Sequence, residues 1–137
     1  MAAETIAFIY IAPIVIGLAI GLVELFFVHA DEAGMGWMGH GLHAIPTCIL
    51  FTFISMNAHW VLQFVPWAFA KQPWAVYGVP ILIGIIAAIK VKAAAAIAKG
   101  GTVGEKMSHA LIIGALIALA PFVWPFIGPA LPAVLQR

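Results

Sequence analysis

Four long apolar runs alternate with short stretches where charge, glycine or proline gather. The first run extends from about Thr5 to His29 and stops at Asp31-Glu32-Ala33-Gly34. The second starts near Trp37 and reaches about Val65, with Pro66 and Lys71-Gln72-Pro73 beyond it. The third runs from about Trp74 to Ala98 and is closed by Lys99-Gly100-Gly101; the fourth runs from near Gly104 to about Pro125. A bilayer core takes ~20 residues of helix, and each run supplies that. An isolated spanning strand would leave backbone groups unpaired in hydrocarbon, and the alternation of barrel strands is absent. The pattern predicts an all-α fold, with residues 1–137 forming one membrane domain. Its four helices make a bundle of two αα-hairpins.

Composition narrows the function classes. Hydrophobic residues make up 65% of the chain and charged residues 8%, whereas soluble domains carry roughly 25% charged residues. A water-facing surface cannot be covered at that level, which excludes a soluble enzyme, a nucleic-acid binder and a disordered tail. Cys48 is the single cysteine, so no intrachain disulfide or CxxC motif exists. Val28-His29-Ala30 resembles a signal-peptidase site, but the run before it is too long. Glu4 rather than a cation precedes that run, so it reads as a retained first span.

The few polar landmarks give the spans a direction. We call the face holding the 1–2 and 3–4 loops side B, and the face holding both termini side A. Trp60, Trp67, Trp74 and Trp124 fall toward side A; Lys90, Lys92, Lys99 and Lys106 fall toward side B. The positive-inside bias places side B in the cytoplasm and both termini outside the cell membrane. Pro121, Pro125, Pro129 and Pro132 each remove a backbone donor, which predicts a kinked or broken end to the fourth span.

The halves also resemble one another. Pro13, Gly17 and Gly21 are matched by Pro80, Gly84 and Ala88, and Met38-Gly39-His40-Gly41-Leu42 by Met107-Ser108-His109-Ala110-Leu111. The offset grows from 67 residues at Gly17 and Gly84 to 69 at His40 and His109. A duplication of this kind predicts a pseudo-two-fold axis along the membrane normal. Gly17, Gly21, Gly84 and Ala88 form small-residue faces that admit close helix contact, including contact with other subunits.

Three polar constellations carry the candidate chemistry. Glu24 shares a helical face with Gly17 and Gly21, and Lys92 lies near the Gly84 and Ala88 side while Lys90 faces lipid. Glu24 and Lys92 are thus expected to form an intramembrane ion pair, either a helix lock or a proton- or ion-handling pair. Cys48, Thr52, Ser55, His59 and Gln63 follow at steps of four, three, four and four, a polar stripe on one face of one helix. That stripe should point away from lipid, as interhelical glue or as a wet path in which His59 titrates. At side B, His40 and His43 stand one turn apart. With His109, the repeat mate of His40, they are candidate metal ligands near His29, Asp31, Glu32 and Glu105. The sequence requires no cofactor; metal or haem held by paired histidines is one option, without a CxxCH attachment motif.

Nucleophile elbows, phosphate-binding loops and HExxH are absent from the sequence, so no enzymatic activity is expected. The leading expectation is a structural or accessory membrane component that oligomerises or belongs to a larger membrane complex. The alternative is a small channel or carrier for protons, metal ions or small polar solutes, and the third is a metal or haem redox subunit. Its partners would be lipid and other membrane subunits or copies of itself.

Overall fold

Each apolar run folds as helix, because hydrocarbon offers its backbone N–H and C=O groups no partner outside the segment. The computed structural model describes residues 8–31, 36–66, 71–98 and 106–136, with residues 94–98 and 136 as backbone only. Helix α1 is Ile11–Asp31, α2 is Trp37–Met56, α3 is Ala58–Leu62, α4 is Ala75–Ala98 and α5 is Met107–Ile127. All but α3 are long and apolar enough to cross a membrane, and no strand occurs among the described residues. The result is an all-α four-helix bundle, the architecture of a multi-pass membrane protein.

α1 lies along α2, and α4 along α5, as two antiparallel hairpins. α2 meets both α4 and α5, and α1 also meets α5. α1 and α4 occupy opposite corners with no extended contact. Ile20, Cys48, Ala87, Val91, Ala110, Ile113 and Ile117 fill the centre, and Ala12, Met56 and Ala120 close the side A end.

The two hairpins pack in matching register. A β-carbon built on Gly17 would lie 2.6 Å from Ile49 Cα, and one on Gly21 would lie 2.9 Å from Ile45 Cα. In the second hairpin, Gly84 sits against Gly114 and Ala118, and Gly114 against Gly84 and Ala88. Gly17 on Ile49 thus corresponds to Gly84 on Ala118, and Gly21 on Ile45 to Ala88 on Gly114, at the same two offsets as the repeat. The small-residue faces are therefore covered within the hairpins.

Three boundaries differ from the sequence reading. α1 begins at Ile11; residues 5–7 lie outside the described residues, as do Glu32, Trp67, Lys99 and Glu105. The second span divides at Asn57 instead of running unbroken to Val65. The last helix is not broken at Pro121 but continues through Pro121 and Pro125 to Ile127. Two 3-10 turns follow, at Gly128–Ala130 and Ala133–Gln136, and the second packs on α1. A proline inside a membrane helix removes one donor, and a neighbouring helix can supply a replacement.

Candidate functional site

The described polar side chains gather in three places, and the first is a joint at side B. The first N–H groups of any helix lack intrahelical partners, and Lys106, the N-cap of α5, makes no side-chain cap. Asp31, the last residue of α1, meets that N-terminus from another helix. Its Oδ2 accepts the Lys106 backbone N–H at 2.9 Å and the His109 Nδ1 hydrogen at 2.6 Å. Its Oδ1 lies 3.1 Å from Lys106 Nζ. The carboxyl is buried while the ammonium is exposed, and the His109 ring stacks on Phe27 at 4.2 Å. These contacts join the first hairpin to the second and set a carboxylate at the N-terminus of α5, where the helix dipole favours negative charge.

Inside the first hairpin lie Glu24, 3% exposed, and His40, 2% exposed. Gly21 against Ile45, and Leu25 beside Gly41, bracket Glu24 along the α1–α2 interface. His29 stacks on Trp37 at 3.7 Å and meets the His40 ring edge-on at 5.4 Å. Lys92 is half-buried on α4, the helix diagonal to α1, and Lys90 is exposed as expected for a snorkelling lysine.

The three candidate metal ligands are not brought together. His40 faces inward, His43 is exposed and gives its Nδ1 hydrogen to Gly39 O at 3.1 Å, and His109 is engaged by Asp31. Among the described residues, no three His, Cys, Asp or Glu side chains gather as a ligand set.

The polar stripe is divided. Cys48, Thr52 and Ser55 are fully buried, whereas His59 and Gln63 are exposed. Ser55 Oγ donates to Ile117 O at 2.8 Å. That carbonyl has no intrahelical donor, because the residue four positions on is Pro121. The Thr52 hydroxyl is buried with no hydrogen-bond partner among the described residues.

The division falls at Asn57, which sequence reasoning missed. Its Oδ1 accepts the Ile9 N–H at 3.0 Å, and its Nδ2 donates to Ile9 O and Phe53 O, each at 2.9 Å. The side-chain amide thus pairs with the chain ahead of α1 much as a neighbouring peptide would. Phe8 is held with it, 5.4 Å from Phe53 and 4.9 Å from Trp60 between ring centroids. The available signal was an asparagine in an apolar run, beside the stripe but off its spacing.

These groups hold parts of the chain together. Compared with protein-family models, curated proteins and solved structures, the chain matches none.

Proposed function

We propose that this chain is a structural or accessory subunit of a membrane assembly, built from further copies of itself or from other membrane proteins. The observation that supports this reading is the destination of the buried hydrogen bonds. Asp31, Ser55 and Asn57 each join one part of the chain to another. A bundle tied in this way is a stiff body with a mainly apolar outside. On that outside, His43 has its Nδ1 hydrogen taken by Gly39, which leaves Nε2 as an acceptor for a donor on a partner helix. Lys90, Lys92 and Lys106 at side B favour a cytoplasmic side B and external termini.

Native mass spectrometry of protein released from mild detergent tests the reading. The expected result is a stable assembly larger than one chain, weakened by His43→Leu. A strict monomer with no co-purifying subunit overturns it.

A channel or carrier is the second reading, and the burial of Glu24 with His40 in one hairpin favours it over a metal or haem redox subunit. Absorbance and metal analysis of the purified protein test that third reading. Absence of both a haem Soret band and stoichiometric metal would remove it.

A further inference from the structure

A carboxyl and an imidazole almost wholly removed from solvent, inside a membrane hairpin, are expensive components. Leucine or glutamine would fill the same space at lower cost. Asp31, Ser55 and Asn57 tie other parts of the bundle with short hydrogen bonds. Other polar groups lie along the same hairpin. His29, only partly buried, stands edge-on to His40 at the side B end. Beyond Glu24, Cys48 lies against Gly17 and Gly21 of α1, and Thr52, one turn further in, has a buried hydroxyl with no acceptor among the described residues.

We propose that Glu24 and His40 form a proton-binding site inside the α1–α2 hairpin, loaded from side B through His29. Imidazole takes a proton on one ring nitrogen and releases one from the other, so the relay makes and breaks only N–H and O–H bonds. The Glu24 carboxylate is the terminal acceptor, becoming a carboxylic acid.

The titratable and charged groups on the surrounding helices are few. At this end α1 contributes His29 and Asp31, α2 contributes His40 and His43, α4 contributes Lys90 and Lys92, and α5 contributes Lys106 and His109. Asp31, Lys106 and His109 are bonded to one another, and His43 is exposed. The ligand is a proton rather than a metal ion, since no three candidate ligands converge among the described residues. This inference does not depend on whether the chain assembles with partners.

Infrared spectroscopy of the full chain in lipid nanodiscs, titrated with pH, reads the protonated-carboxyl stretch directly. Glu24→Gln should remove one titrating carboxyl band. His40→Gln should move the midpoint of that band by about one pH unit, whereas His59→Gln, exposed on α3 toward side A, should leave it in place. Circular dichroism and elution volume establish that each variant folds. Where Glu24→Gln fails to fold, Glu24→Asp keeps the carboxyl and must displace its band. A spectrum unchanged by the Glu24 variant, or a midpoint moved no more by His40→Gln than by His59→Gln, overturns the proposal.

Discussion

Ser55 on α2 supplies to Ile117 on α5 the hydrogen that Pro121 lacks. The hydroxyl lies 2.8 Å from that carbonyl, deep in the bundle. A buried acceptor left unpaired costs about 1–3 kcal/mol, so Ser55→Ala should lower stability by that amount in a denaturation titration. The proline is the reason. Pro121→Ala restores an N–H four residues beyond Ile117, and in that background the Ser55→Ala loss should shrink by at least half. Equal losses in the two backgrounds would show that the hydroxyl is not compensating for the proline.

The joint at Asp31 makes a contrast between its partners. Asp31→Ala removes the acceptor of the Lys106 N–H, the His109 ring and the Lys106 ammonium together. It should cost about 2–4 kcal/mol, the range for losing several charge-assisted hydrogen bonds at once. Lys106→Ala leaves the backbone N–H in place and deletes only an exposed ammonium, so its cost should stay at or below about 1 kcal/mol. Thermal unfolding of the two variants in one detergent checks the order.

Close helix approach within the second hairpin gives a steric prediction. A methyl group on Gly84 would collide with the Gly114 carbonyl oxygen and lie 2.8 Å from Ala118 Cβ. Gly84→Ala should destabilise the bundle by about 1–3 kcal/mol. Gly36, the N-cap of α2, has nothing within 4 Å of the same added atom, so Gly36→Ala should cost no more than the roughly 1 kcal/mol of a weakened cap. A neutral Gly84→Ala would mean that the helices can separate without cost.

Asn57 fixes the chain ahead of α1 through both halves of its amide. Asn57→Leu removes both bonds to Ile9 and the bond to Phe53 O. Hydrogen exchange at the Ile9 amide should then quicken at least tenfold, while amides in the middle of α5 keep their protection. Unchanged exchange at Ile9 would show that ring contacts of Phe8 alone hold the segment.

These cases show which parts of the molecule can be read from sequence. The spans were legible because hydrocarbon tolerates little except apolar helix. Gly17 and Gly84 were legible because only small residues permit such closeness, and their spacing shows in a single chain. The stripe was legible as far as Ser55, while α2 keeps a regular period. His59 and Gln63 escape it because the helix stops at Asn57, a break caused by contact with a residue 48 positions away. Asp31 was visible as a neighbour of the side B histidines but not as a joint to α5, since that role exists only once α1 ends beside the start of α5. The corner positions of α1 and α4 depend on how two hairpins dock, which no local period encodes.

The Asp31 joint has a consequence for biogenesis. Asp31 precedes Lys106 by 75 residues and His109 by 78, so the ribosome delivers the carboxylate long before its partners. The contacts within the first hairpin, including the hold of Asn57 on Ile9, need nothing made later. That hairpin can mature early in the membrane, with the Asp31 carboxylate still hydrated at its rim. Only emergence of α5 lets the carboxylate exchange water for its partners there, so closure of the joint reports that synthesis has passed α5. A nascent chain stalled before α5 would keep that end open, displaying an unsatisfied acid to any quality-control factor able to recognise one.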